Sequence, residues 1–170
     1  MLDKKYNIFT GNINSVKYIY KIIDHLELLG HNYTAFIPNK PNDSYTKHVY
    51  LENFLNGYII NYKNLDDLNS KLNNKSNFFK TNLAIIDIWN YYISDSSLFN
   101  NIKNLNVKSI ILTKSIPPII LTKRNDYDFF SLEKQSSFLE IKNLITNSTI
   151  KVDDLIKSDI RDIKIRKLFE

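Results

Sequence analysis

Cysteine is absent from the 170 residues, which excludes disulfides, thiolate catalysis and cysteine-based zinc sites. Glycine occurs three times, at Gly11, Gly30 and Gly57, beside four prolines, one methionine and one tryptophan. A phosphate-cradling loop needs several glycines so that backbone amides can approach the anion, and a P-loop adds a lysine and a hydroxyl. The first expected strand-to-helix turn, Phe9-Thr10-Gly11-Asn12-Ile13-Asn14-Ser15, has one glycine and no lysine. No HExxH, GxSxG or metal-spaced cluster is present, and those are the patterns that mark zinc and serine hydrolases. His25, His31 and His48 are scattered, and His25 lies among apolar positions where packing is expected. The carboxylate pairs Asp66-Asp67 and Asp153-Asp154 fall where a helix N-terminus favours negative charge. No window approaches the roughly 20 apolar residues of a membrane span. The N-terminus enters a strand almost at once, without an apolar signal core or an Arg/Ser-rich leader, so neither secretion nor import is expected.

What is present is a chain of one domain's length with 43% hydrophobic residues, enough for a real core. Lysine and arginine number 23 against 18 acidic residues, a net charge of +5. That mild bias suits a polyanionic partner and equally suits a lysine-coated surface. Only Arg124, Arg161 and Arg166 are arginine, and Asn, Ile, Lys and Tyr crowd out Ala and Gly. An AT-rich coding sequence produces this usage, as in organelle genomes, some endosymbionts and some viruses.

Along the chain, Tyr6–Thr10 reads as a strand, and Val16, Ile19, Tyr20, Ile23, Leu26 and Leu29 recur at helical spacing up to Gly30. Tyr33–Ile37 is a second strand, followed by a polar loop through Lys47. His48–Leu51 reads as a short strand or a helix start, and Tyr58–Tyr62 as a strand. Leu65, Leu68 and Leu72 mark a short helix. Leu83–Ile88 is a continuous apolar run typical of a strand covered on both faces, and its Asp87 is expected to cap a turn or contact backbone. Ser94–Ser97 offers caps for a helix through Leu98, Ile102 and Leu105. Val107–Thr113 is a strand, Ile119–Leu121 one more short strand, and Ser136–Asn147 a helix. Residues 151–170 read as an amphipathic helical tail, packing either on a partner or on residues 1–150. Such alternation predicts an α/β, Rossmann-like or flavodoxin-like doubly wound fold with a mostly parallel sheet, which by itself decides no activity.

Lysines flank aromatics and asparagines at Lys40, Lys47, Lys63, Lys114, Lys123 and Arg124. These cations can neutralise phosphates. Tyr58 or Tyr62 can stack on a splayed base, and asparagines can bond base edges or 2′-hydroxyls. Solvated lysines and core tyrosines explain the same residues equally well.

The run Asn53 to Leu65 contains Phe54, Leu55, Asn56, Gly57, Ile59, Asn61, Tyr62 and Lys63. It resembles the Arg-Trp-Leu-Gly-Gly-x-Leu-Thr-Asn-Phe-x-Thr-Ile signature of the ribosomal protein S-2 family, protein two of the small subunit. Asn12 to Leu29, Tyr33 to Lys40, Leu83 to Asp87, Leu105-Asn106-Val107 with Ile110-Ile111-Leu112, and Pro118 resemble that family's other segments in the same order. Asn53 and Asn56 replace the signature arginine and first glycine, Ile88 replaces a proline, and Thr113-Lys114-Ser115 replaces Asp-Thr-Asn. Only Asp66 to Thr81 stands where the family inserts a long helical hairpin.

The resemblance implies a structural, non-enzymatic role near the head–body junction of a small ribosomal subunit. The implied partners are small-subunit rRNA and neighbouring ribosomal proteins, with no cofactor, metal, membrane span or small-molecule substrate. With the AT-rich usage, a mitochondrial ribosome is expected first and a plastid ribosome second. The candidate rRNA-binding residues are Lys40, Lys47, Asn53, Asn56, Gly57, Asn61, Tyr62, Lys63, Lys114, Lys123 and Arg124. The alternative is a nucleotide- or nucleotide-sugar-dependent enzyme with a degenerate phosphate-binding loop.

Overall fold

A computed structural model describes residues 5–11, 16–39, 57–94, 96–121, 126–132 and 137–148. Strand β1 (Tyr6–Thr10) leads to helix α1 (Val16–Leu28), and strand β2 is Tyr33–Pro38. Gly30 closes α1 at a φ of 69°, a backbone state glycine adopts without steric cost. Strand β3 (Gly57–Tyr62), helix α2 (Leu65–Asn73) and a 3-10 turn (Lys75–Phe78) follow. The remaining elements are β4 (Leu83–Asp87), α3 (Ser97–Lys103), β5 (Lys108–Thr113), α4 (Pro118–Leu121), β6 (Tyr127–Ser131) and α5 (Ser137–Ser148).

The six strands form one sheet in the order β3-β2-β4-β5-β1-β6, and every pairing in it is parallel. The fold is α/β, Rossmann-like and doubly wound. Helices α1 and α5 cover one face, where Ile19, Ile22, Leu26, Ile141 and Leu144 meet Phe9, Ala35, Ile85 and Ile110. Helices α2, α3 and α4 cover the other, where Leu68, Leu72, Phe99, Ile102 and Ile120 meet Ile8, Phe36, Ile86 and Ile111. Because β4 is enclosed from both sides, each of its five residues is buried, as its unbroken apolar run requires.

Three local expectations are corrected. Ile119–Leu121 belongs to the short helix α4 instead of a strand. Pro118 favours this, since its fixed φ suits a first helical turn where a missing N–H costs nothing. Ile120 is buried while Ile119 and Leu121 are exposed. Ser96 occupies the N-cap of α3 but makes no side-chain capping bond. Strand β6 was not anticipated: among the described residues it is an edge strand paired only with β1, and Asp128 interrupts its apolar run. The expected segment His48–Leu51 and the tail 151–170 lie outside the described residues.

His25 is buried, and its Nε2 lies 3.3 Å from Thr146 Oγ1, linking α1 to α5. His31 is also buried, and desolvation holds its imidazole below the usual value, partly opposed by a backbone hydrogen bond with Ile145.

Tyr127, only 2% exposed, donates its hydroxyl to the Phe99 carbonyl at 3.1 Å. Burial, then negative charge at Tyr6 and Asp126, pushes its ionisation up to about 12. A raised folded value means that the unfolded chain loses this proton first. The associated stability is therefore complete below pH 10 and lost between pH 10 and about 12. At ~1.36 kcal/mol per pH unit it amounts to roughly 2–3 kcal/mol. Alkaline urea titrations of the native protein should show this loss, and Tyr127→Phe should remove it. An unchanged alkaline slope in the variant would assign the loss to other groups.

Candidate functional site

Doubly wound sheets place ligands where adjacent strands send their connections to opposite faces. Strands β1 and β5 are such a pair, because α1 packs on one face and α4 on the other. At their carboxyl ends stands Trp89, which follows β4 and packs its indole against the core. Its Nε1–H donates to the Gly11 carbonyl at 3.0 Å, and the Lys114 ammonium lies 5.1 Å from the ring centroid. The indole therefore reaches from the end of β4 to the end of β1, with the cation that follows β5 above it. Asp87, buried at the end of β4, accepts the Trp89 backbone N–H through Oδ1 at 3.2 Å. This is the turn-capping role expected of it.

The β3–α2 turn stands on the same carboxyl edge. The Asn64 side chain accepts the Asp67 N–H at 2.8 Å, and Asp67 Oδ2 accepts the Lys63 N–H at 2.8 Å. These reciprocal bonds act as a capping box on the first turn of α2. Lys71 adds to them, donating to the Asn61 carbonyl at 2.6 Å and to Asp67 Oδ2 at 3.1 Å. The Lys63 amide is the main reason that the Asp67 carboxyl is held below the usual aspartate value, with Lys71 assisting against desolvation. Tyr91 joins this turn to the Trp89 segment: its hydroxyl donates to the Lys63 carbonyl at 3.2 Å, and its ring lies 5.6 Å from that of Tyr62.

Of the candidate residues, Gly57, Asn61, Tyr62, Lys63 and Lys114 are described. Lys40, Lys47, Asn53, Asn56, Lys123 and Arg124 lie outside the described residues. Lys63 and Lys114 are exposed on the carboxyl edge, connected through the Trp89–Tyr91 segment. Gly57 is at the opposite end of β3, paired with Tyr33. Tyr62 is corrected as a stacking residue, because its ring is fully buried and its hydroxyl donates to the Asp87 carbonyl. Tyr58, the other tyrosine considered for that role, is 62% exposed.

Sequence reasoning missed Trp89. Its available signal was position: it is the sole tryptophan and lies two residues beyond the last residue of the most apolar strand. Among the described residues, no group of three or more His, Asp or Glu could hold a metal, and no helix is long and apolar enough to cross a membrane. Compared with known proteins, the chain matches no family model and no curated protein.

Proposed function

We propose that the protein is a structural constituent of an organellar small ribosomal subunit, mitochondrial by its residue usage. It binds rRNA through lysine–phosphate contacts and adjoins neighbouring ribosomal proteins. The observation that carries this reading is the build of the carboxyl edge. The stretch resembling the ribosomal protein S-2 signature ends in a turn fixed by Asn64, Asp67 and Lys71, which presents Lys63 outward. Lys114 stands on the same edge, above Trp89. Cations carried on a fixed backbone edge suit backbone recognition of folded RNA, where each phosphate contact releases a counterion.

The enzyme alternative requires a ligand at the carboxyl ends of β1 and β5, where the Trp89 indole is bonded to Gly11. Millimolar ATP, NAD or UDP-sugar should leave the melting temperature unchanged, whereas a bound ligand would raise it. The decisive experiment is sedimentation of organelle lysate. The protein should travel with the small subunit at low salt and leave it at high salt. Lys63→Gln and Lys114→Gln should each bring that release to a lower salt concentration. A protein that stays at the top of the gradient at low salt would sink the proposal.

A further inference from the structure

Beyond the carboxyl edge, the structure has a second built feature, beside the amino-terminal half of the edge strand β3. A groove of about 360 Å³ runs between β3 and the 3-10 turn, lined by Tyr58, Ile59, Ile60, Ser76, Asn77 and Phe79. That volume is at the small end of ligand clefts. Two aromatic side chains line it while facing solvent, Tyr58 at 62% and Phe79 at 69% exposure. Phe79 is exposed because the chain turns there. Its neighbour Phe78 packs inward, 5.6 Å from Phe36, and Lys80 takes a φ of 57°. Left-handed backbone is uncommon for a residue with a side chain and costs on the order of 1–3 kcal/mol.

The Lys80 ammonium lies 5.5 Å from the Phe79 ring centroid. Lys75, at the start of the same turn, is exposed as well. The turn is anchored from beneath: Asn77 Nδ2 donates to the Lys71 carbonyl at 2.8 Å, and Thr34 Oγ1 donates to the Asn77 carbonyl at 2.9 Å. The exposed rings therefore stand on a fixed support, and a cation sits against one of them.

We propose that this groove seats an unpaired nucleotide of single-stranded RNA, its base stacked on Tyr58 and Phe79 and its phosphate met by Lys80. Aromatic faces accept any base, and the neighbouring lysine supplies the charge a phosphate requires. Duplex RNA, whose bases are already stacked, offers nothing for the two rings to hold. The inference rests on the ribosomal reading for the identity of the RNA, and adds that the protein contacts a loop or bulge at a place other than Lys63 and Lys114.

The test is fluorescence anisotropy of the full chain with a short labelled oligouridylate, with duplex RNA as competitor. Tyr58→Ala and Phe79→Ala should each weaken binding roughly 5- to 100-fold. Tyr58→Phe and Phe79→Tyr should bind as the wild type does. Lys80→Gln should lower the slope of log affinity against log salt by about 0.7. The proposal is overturned if the alanine variants bind like the wild type, if the wild type does not bind the oligouridylate, or if duplex RNA competes equally. It is also overturned if a neighbouring protein segment, added as a strand along β3, covers the groove in place of RNA. Wild-type cosedimentation together with alanine variants of unchanged affinity would remove the groove and keep the ribosomal reading. Ring-dependent oligouridylate binding by a protein that does not cosediment would do the reverse.

Discussion

Gly57→Ala should lower stability by about 2–3 kcal/mol, because a methyl group at this position has no space. An added Cβ would lie 2.3–2.5 Å from three atoms of the Tyr33 ring. That ring cannot move aside easily. Tyr33 is 1% exposed, and its hydroxyl donates to Glu27 Oε1 at 2.8 Å. Loss of glycine's chain entropy returns part of the cost, about 0.5–1 kcal/mol. For a chain of this size the net effect is a fall of roughly 5–10 °C in Tm. The check is a double-mutant cycle. In a Tyr33→Ala background, Gly57→Ala should become neutral or stabilising, and an equal penalty in both backgrounds would rule out the ring as its cause.

Trp89→Ala should cost about 2–4 kcal/mol, measured by circular dichroism during urea melts. The figure is below that of a fully buried tryptophan because Trp89 is only partly buried. Trp89→Phe keeps most of the filling and removes the hydrogen bond to Gly11, so about 1 kcal/mol is expected. A Trp89→Ala variant as stable as the wild type would show that the indole does not hold the ends of β4 and β1 together. Because this tryptophan is the only one, native fluorescence reports directly on this contact. Millimolar nucleotide should leave that emission unaltered.

The two substitutions also show what the sequence could reveal. Strands β1, β2, β4 and β5 and helices α1 and α5 were legible because their apolar residues follow one period over enough length to face a core. The short helix α2 was legible from Leu65, Leu68 and Leu72, and its start from the acidic pair Asp66-Asp67, whereas the Asn64 cap emerged only from the structure. The strand β6 was not, since an edge strand with one neighbour tolerates Asp128 and needs no continuous apolar run. Ile119–Leu121 misled because three apolar residues carry no period, and Pro118 then decided in favour of helix.

At the candidate site, the lysines were visible as charges, but their grouping depends on tertiary contacts. Tyr62 and Tyr58 are four residues apart on one strand, and only the packing of α2 and Tyr91 buries one and exposes the other. Gly57 was visible as an oddity without a cause. Its cause is Tyr33, which is directly opposite on β2 but distant in sequence.

The place of β1 has a consequence for synthesis. The first strand lies between β5 and β6, and Thr10 donates its hydroxyl to the carbonyl of Lys114, 104 positions later. At about 5–20 residues per second of translation, Tyr6–Thr10 waits on the order of 5–20 s for its first partner strand to be made. Throughout that interval Ile8 and Phe9 have no sheet to join, while β2 and β4 can already pair. The nascent chain thus carries an apolar, β-prone segment, made well before its partner strands, that must be kept from other chains, and chaperone dependence should concentrate there. Moving residues 5–11 to a position later in the chain than β5 should shorten the wait and speed folding.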